Sequence, residues 1–366
     1  MIVIPGSCPP SSAALGLRPG SSACPDSTRI PSQAQIKTLD GWRAVAISLV
    51  IVCHSLPDCN PLWLGRLGVD VFFGLSGFLI TVLLLAERQR TGSINLLAFY
   101  RRRAVRILPA SLVFLATVGA CGLFKTRWEL AASLFFFRNY LPSKHATYAT
   151  AHLWSLAVEE HFYLLWPGLL AVAGVAFWRS WIGHAALGIA LWRLSALSGH
   201  WAELANINAM QRTDFRLDAL LWGCAVAFLY IYQPDKLAIR PWLWISMAAL
   251  VLFPYFTQDA DGGFMLRLVA SIAGPLLIPF LLAGTALQPT WALSRILEWP
   301  TLKWLGRISY SLYLWQELFL VAGLKSQFVL WNLAATLAVA CASYYLIEQP
   351  MIRLGRKNLL KRSLFN

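Results

Sequence analysis

Long apolar segments separated by short polar loops make up the sequence from residue 38 onward. Most of them are close to 20 residues long, the length of helix that crosses the hydrocarbon core of a bilayer. The hydropathy pattern therefore predicts an all-α, polytopic membrane protein with about ten transmembrane helices. The predicted spans cover residues 40–57, 68–86, 104–123, 153–175, 181–198, 215–233, 241–257, 265–286, 304–323 and 327–347. A shorter apolar stretch, 130–137, is interpreted as a re-entrant or surface piece.

The ends of the chain differ from this pattern. Residues 1–36 hold six Pro, seven Ser and three Gly without a sustained apolar run, so we expect a disordered N-terminal tail. The alternative is a translation start assigned too far upstream. Residues 37–350 are predicted to form one membrane-embedded domain, and residues 351–366 a basic cytoplasmic tail.

Composition supports a membrane location and argues against a nucleic-acid-binding domain. The chain is 58% hydrophobic and only 13% charged, whereas soluble domains carry about 25% charged residues. The net charge of +14 comes from Lys and Arg in short loops, mostly on one side of the predicted spans. The positive-inside rule then places both termini in the cytoplasm. Seven Cys without a CxxC pattern predict neither a disulfide framework nor a metal site.

The first predicted span carries two ionisable residues, Arg43 and His54. Their separation of 11 residues places both on one helical face, about 16 Å apart along the axis. An ionisable group inside a span is costly and is a candidate functional residue. The alternative is an Arg that reaches lipid phosphate and a His that bonds a neighbouring helix.

Asp70 begins the second span, which runs in the opposite direction, so we expect it at the depth of His54. A carboxylate there could orient the imidazole and stabilise its cation, as in carboxylate–histidine catalysis. Asp70 could instead face interfacial water. Ser76, in the same span, is interpreted as a helix-packing residue.

A basic cluster precedes the third span at the inner face. Guanidinium groups match phosphate oxygens, so the cluster is a candidate site for phosphates or diphosphates. Membrane topology would explain the same run of charges. The cluster consists of Arg101, Arg102, Arg103 and Arg106.

The fourth span opens with three ionisable residues. His152 and Glu159 are seven positions apart and share one helical face, whereas Glu160 points about 100° away. We expect His152 and Glu159 at the outer level with His54. The interpretation as interhelical hydrogen-bonding groups stays open.

Two later spans also carry polar groups. Arg216 and Asp218 are two positions apart and cannot face each other on a helix, so each is expected to have a partner on another span. Arg307 marks the inner end of the ninth span, and four polar residues lie deeper in it: Tyr310, Tyr313, Gln316 and Glu317. The pattern thus predicts cationic groups at the inner level and His54 among polar groups at the outer level.

These residues lie in segments that resemble the acyltransferase-3 family of multi-span bacterial O-acyltransferases. The resemblance covers about residues 37–350 and includes seven segments in the order of the family. They are the Arg-x10-His of Arg43 and His54, GVDVFFGLSGFLI (68–80), RRRAVRILP (101–109), WSLAVEEHFYLLWP (154–167), RLDALLWG (216–223), LGRISYSLYLWQ (305–316) and EQP (348–350).

The resemblance implies a bacterial inner-membrane enzyme without a permanently bound cofactor. Its donor substrate would be cytoplasmic acyl-CoA, usually acetyl-CoA, and its acceptor a hydroxyl of a carbohydrate or lipid-linked envelope molecule. His54 corresponds to the family's essential His, acting as base or as acyl carrier, and Arg43 to the Arg of the same motif. The chain departs from the family at His161, where Gln is more frequent, and at Gln316, where His is frequent.

Two other function classes would use buried charge in a membrane. A transporter or flippase could line a path with the same groups, but it would need no thioester donor. A lipid-linked glycosyltransferase would normally need an acidic metal or sugar-nucleotide site. Release of coenzyme A by the purified protein discriminates the first alternative from an acyltransferase.

Overall fold

The computed structural model describes residues 36–55, 62–197, 211–237, 263–320 and 328–355, together with Trp244 and Ala248. Within these ranges the regular secondary structure is helical and no β-strand occurs, which confirms the all-α prediction for this part of the chain. The helices are α1 (Thr38–Ser55), α2 (Leu62–Thr91), α3 (Leu96–Ala120), α4 (Arg127–Leu134), α5 (Leu153–Leu197), α6 (Thr213–Tyr232), α7 (Gly263–Leu287), α8 (Ala292–Leu297), α9 (Pro300–Arg307), α10 (Ser309–Leu320) and α11 (Val329–Ser343), the last continuing into a π-helical turn, Tyr344–Glu348.

Five helical segments of the described residues are long and apolar enough to cross a membrane. A total of about ten spans therefore stays a prediction. Predicted span 241–257 lies outside the described residues apart from two positions, and so do residues 1–35 and 356–366 of the predicted tails. The five segments are Leu64–Thr91, Leu96–Ala120, Tyr148–Ser195, Thr213–Tyr232 and Val329–Gly355.

Helix α5 contains two of the predicted spans, 153–175 and 181–198, and it is broken between them. Gly174 has φ 83° and ψ 164°, a conformation that glycine adopts readily because glycine has no Cβ. The Trp178 indole donates a hydrogen bond back to the Leu169 carbonyl oxygen at 2.8 Å, so the chain turns sharply at this point. The two arms of α5 thus correspond to two separate helical segments.

The predicted continuous span 304–323 is wrong as a single helix. The backbone leaves the helical conformation at Ile308 (φ −88°, ψ 1°), so the short helix α9 ends there and α10 begins. At Gly306 the chain passes so close to α1 that an added Cβ would lie 1.8 Å from the Asp40 carbonyl oxygen. This contact holds α9 against the beginning of α1.

Helix α2 lies at the centre of the helical assembly. Of its apolar window, 78% is buried inside the protein, against 33% for α3 and 22% for the segment that contains α11. It packs against α1, α6 and α7, and a Cβ on Gly77 would lie 1.9 Å from the Leu220 carbonyl oxygen of α6. Side chains of α2 can therefore reach groups on several other helices.

The segment between α3 and α5 folds around a buried carboxylate, Glu129. Thr126 caps α4 by accepting a hydrogen bond from the Glu129 backbone N–H at 3.1 Å. Burial would raise the pKa of Glu129, but hydrogen bonds from Thr150, Thr147 and the Lys125 backbone N–H outweigh it and lower the pKa. The predicted surface or re-entrant piece 130–137 thus includes most of a short helix that is anchored by its polar side.

Candidate active site

His54, near the end of α1, contacts two neighbouring residues of α10. Its Nδ1 lies 2.5 Å from Oε1 of Gln316, and its Nε2 lies 4.0 Å from Oε1 of Glu317. The His54 side chain is 25% exposed, whereas Gln316 is completely buried. The imidazole is therefore in contact with α10, while a quarter of its side chain stays exposed.

Glu317 connects His54 to a second histidine. Its Oε2 accepts hydrogen bonds from the backbone N–H of His152 at 3.0 Å and from the His152 ring at Nδ1, 2.9 Å away. The Tyr313 hydroxyl donates to the His152 carbonyl oxygen at 2.8 Å and lies 2.5 Å from the Ser155 hydroxyl. Helices α1, α5 and α10 thus meet in one cluster, in which Glu317 lies between His54 and His152.

Asp70 does not take the position expected beside His54. It forms a buried ion pair with Arg216 of α6, and the carboxylate that faces His54 is that of Glu317. The reason is that α2 presents Asp70 to α6, where a buried guanidinium group requires a carboxylate partner. Asp218 pairs with Arg193 of α5 at 2.9 Å, so Arg216 and Asp218 each have a partner on another helix, as their spacing predicts.

A cavity lies next to this cluster, and three arginines line it. Arg43 of α1 and Arg103 and Arg106 of α3 contribute the cationic groups. The Arg103 guanidinium lies over the Tyr163 ring, 4.7 Å from its centroid. Empty space in the cavity, including its open mouth, is about 830 Å³. Six of its other lining residues are apolar side chains of α2, so the cavity has both cationic and apolar lining.

The other predicted arginines lie elsewhere. Arg102 is exposed and pairs with Glu87 at 3.3 Å, and Arg101 is not among the lining residues of the cavity. Arg307 is exposed on α9 and donates from Nε to the Lys303 carbonyl oxygen at 3.3 Å. The sequence cluster therefore divides into cavity-lining and surface members, because successive helical positions point about 100° apart.

Glu159 lines the cavity and does not join the His54 cluster as expected. Its Oε1 accepts a hydrogen bond from Ser76 at 2.8 Å, and its Oε2 accepts one from Tyr163 at 3.3 Å. Seven residues of helix separate it from His152 by about 10 Å along the axis, which accounts for the difference in level. Its neighbour Glu160 has a buried Oε1 without a hydrogen-bond partner among the described residues.

The cavity extends from the arginines to residues that also touch the histidine cluster. Tyr310 lines it and donates a hydrogen bond to the Ile107 carbonyl oxygen at 2.8 Å. Ser155 and Tyr313 line it as well, and both contact the His152 backbone. These two residues are therefore the connection between the cavity and the histidine cluster.

Sequence reasoning did not select four of these groups as site residues. Glu317 was noted as an acidic residue in an apolar span but was given no role, although that signal alone makes it a candidate functional residue. Ser76 was interpreted only as a packing residue, and Tyr163 and Tyr313 resemble the many other aromatic residues of the chain. Their role depends on which residues face the cavity, and this follows only from the helix packing.

No group of three His, Cys, Asp or Glu side chains that could hold a metal occurs in the part of the chain that the structure describes. The Asp-x-Asp sequence of Asp259 and Asp261 lies outside that part.

Comparison with known proteins identifies the family of the chain. A family model described as an acyltransferase domain matches residues 36–347. The chain belongs to the acyltransferase-3 family. No solved structure shows a significant match to the chain.

Curated relatives of the chain are bacterial. The "Putative O-acetyltransferase SACOL0978" of Staphylococcus aureus (strain COL) is 32% identical over 91% of this chain and 60% of its own length. The "Peptidoglycan O-acetyltransferase OatA" of Listeria monocytogenes is 30% identical over 90% of this chain and 58% of its own length. The chain therefore spans about three fifths of the length of the curated relatives it matches.

Proposed function

We propose that this protein transfers an acyl group to a hydroxyl of a carbohydrate or another cell-envelope acceptor. Membership of an acyltransferase family and relatives named as O-acetyltransferases support the reaction class and favour acetyl as the group transferred. The Listeria relative, named for peptidoglycan, supports a carbohydrate acceptor. Because the relatives are longer than this chain, the acceptor is a proposal for the chain itself.

The observation that carries the proposal is the convergence of Arg43, Arg103 and Arg106 on one cavity next to a histidine cluster. Acyl-CoA is a donor of suitable shape, since it joins a phosphate-rich head to a long, thin pantetheine arm. Guanidinium groups bind phosphate oxygens by charge-assisted, often bidentate hydrogen bonds. In this proposal the three arginines hold the phosphates, and the arm follows the apolar wall of α2 towards Tyr313 and the histidine cluster.

His54 is the base in the proposed reaction. The acceptor O–H bond breaks as the proton passes to the imidazole, and the oxygen forms a bond with the acyl carbon while the carbon–sulfur bond of the thioester breaks. The same proton then passes from His54 to the departing thiolate, so the products are an ester and free coenzyme A. General-base catalysis of this kind contributes about 10²–10⁴ in rate.

The proposed layout places the two substrates at opposite sides of a bacterial inner membrane. Both termini are cytoplasmic in this proposal, and the Arg43 end of α1 faces the cytoplasm. Acyl-CoA enters there, whereas the acceptor reaches His54 from the outer side. The length of α1 between the two residues, about 16 Å, matches a donor whose phosphates and thioester occupy different depths.

Release of coenzyme A by the purified protein tests the reaction class. Wild type in detergent or nanodiscs, with acetyl-CoA and a peptidoglycan fragment, should release the free thiol continuously, and His54→Ala should reduce the rate at least about 100-fold. His184→Ala is the matched control, because His184 is exposed on α5, where its ring contacts the Ser180 carbonyl oxygen at 3.2 Å and the Trp181 ring at 5.4 Å between centroids. Near-normal turnover by His54→Ala would reject His54 as the base, and transport of a solute without thiol release would favour a transporter.

A further inference from the structure

Gln316 and Glu317 contact opposite edges of the His54 ring, although they are neighbours on α10. The Gln316 amide oxygen lies 2.5 Å from Nδ1, and the Glu317 carboxylate lies 4.0 Å from Nε2. Both side chains are buried, and Gln316 is completely so. The two ring nitrogens of His54 therefore have different environments.

The contact with Gln316 favours one position for the imidazole proton. An amide oxygen can only accept hydrogen bonds, so Oε1 at 2.5 Å from Nδ1 pairs with a hydrogen on that nitrogen, while the nitrogen of the same amide is buried without a hydrogen-bond partner among the described residues. Neutral imidazole has one N–H, and Nε2 then presents a lone pair. Because the Gln316 amide does not titrate, its preference for an N–H at Nδ1 does not depend on pH.

Glu317 is held in place independently of His54. Its Oε2 is fixed by the ring and the backbone of His152, which leaves Oε1 facing the Nε2 edge of His54. A separation of 4.0 Å is too long for a hydrogen bond, but a carboxylate at that distance attracts an imidazolium. Three further titratable or charged groups interact electrostatically with Glu317: Cys53 of α1, Arg138 of the segment before α5 and Tyr313 of α10.

We propose that Gln316 and Glu317 form one positioning unit for His54, in which Gln316 keeps the proton on Nδ1 and Glu317 stabilises the imidazolium. This inference rests on the acyl transfer proposed above and specifies its reacting atom. Nε2 takes the proton of the acceptor hydroxyl and returns it to the thiolate of coenzyme A, while Nδ1–H and the Glu317 carboxylate keep their protonation states. The unit acts through His54 and does not itself exchange a proton with substrate.

The tautomer is measurable without turnover. Selective ¹⁵N-histidine labelling gives six histidine spin systems, and the one lost in His54→Ala identifies His54. Wild type at a pH above the imidazole transition should show a protonated Nδ1 and an unprotonated Nε2. Protonation of Nε2 instead would overturn the assignment, because the Gln316 amide would then have to donate to Nδ1.

Substitutions of the two residues should move the pH dependence of turnover in opposite directions. Gln316→Glu places a carboxylate at Nδ1, which stabilises the imidazolium, and should move the acidic limb of kcat/KM to higher pH by about one unit. Glu317→Gln removes the carboxylate that faces Nε2 and should move the same limb to lower pH. A purely structural role for the two side chains would change rate or stability without these opposite shifts.

Two further variants separate positioning from folding. Gln316→Leu should lower kcat at least about 10-fold, whereas Gln316→His, which again offers an acceptor nitrogen, should restore much of the loss. Thr336→Val is the control for a lost buried hydrogen bond, since Thr336 is buried on α11 and donates only to the Asn332 carbonyl oxygen at 2.7 Å. Its pH profile should match wild type.

The experiments distinguish failure of the proposed acyl transfer from failure of the proposed positioning unit. If wild type releases no coenzyme A but His54 carries its proton on Nδ1, acyl transfer is wrong and the positioning by Gln316 stands. If wild type is active and the acidic limb stays within about 0.2 units in both Gln316→Glu and Glu317→Gln, the positioning unit is wrong and the proposed function stands.

Discussion

Replacing Arg103 by Met should weaken binding of coenzyme A, whereas the same change at the adjacent Arg102 should have little effect. The two side chains differ in position and not in chemistry. Arg103 lines the cavity and packs over Tyr163, while Arg102 is exposed and pairs with Glu87 at 3.3 Å. Methionine keeps most of the side-chain volume and removes the charge, so the comparison isolates the guanidinium group.

The magnitude follows from the charge-assisted hydrogen bonds that the Arg103 guanidinium would donate to phosphate. One hydrogen bond to a charged group contributes about 1.5–3 kcal/mol, which corresponds to about 10- to 150-fold in the dissociation constant. Arg103→Met should therefore raise the Kd for coenzyme A by that factor. An exposed ion pair contributes at most about 1 kcal/mol, so Arg102→Met should change the Kd less than about fivefold.

Isothermal titration of coenzyme A into each purified variant measures the effect directly. Thermal unfolding of the same samples in detergent identifies a general loss of structure, which would affect acceptor binding as well. Equal Kd values for Arg103→Met and wild type would refute the assignment of the cavity to the donor phosphates. A larger loss for Arg102→Met than for Arg103→Met would place the donor on the surface of α3.

Two predictions concern stability. Asp70→Ala leaves Arg216 as a buried cation without Asp70 and should destabilise the protein by about 3–5 kcal/mol, whereas the double change of Asp70 and Arg216 to Leu should unfold close to wild type; equal loss in both would contradict the pairing. Glu129→Gln removes a carboxylate whose pKa is lowered in the folded state, so its stabilising contribution is complete above its unfolded-state value, about 4.3, and is lost as the pH falls through the folded-state value. Thermal unfolding between pH 7 and 3 should show that the stability of wild type falls more steeply with decreasing pH than that of the variant. If stability has the same pH dependence in both, the lowered pKa of Glu129 is contradicted.

Hydropathy predicted the helical class and the approximate place of most described helices, since burial of apolar segments has a clear sequence signal. It also predicted that the two arms of α5 are separate, with spans that end at 175 and begin at 181, but it did not predict the break at Ile308. A break in an apolar run depends on backbone conformation and on contacts such as that between Gly306 and α1, which composition does not encode. The number of spans is likewise not fixed by the described helices.

The sequence predicted which types of residue form the candidate site better than it predicted which of those residues pair with each other. Arg43 and His54 on one face of α1 follow from helical periodicity alone. Periodicity could not show which carboxylate faces His54, because Asp70 and Glu317 both lie in apolar spans. Only the packing of α2 on α6 pairs Asp70 with Arg216. Glu159 was assigned to the wrong neighbours for the same reason.

The central claim is that one donor reaches from a cytoplasmic arginine cavity to an outward-facing His54. Sealed vesicles in which the protein has one orientation test it most directly, with acetyl-CoA supplied only at the cytoplasmic face and a peptidoglycan fragment confined to the opposite side. The account predicts that the confined fragment becomes acetylated, and that His54→Ala abolishes this product. Acetylation only when donor and acceptor share the cytoplasmic side would contradict the account.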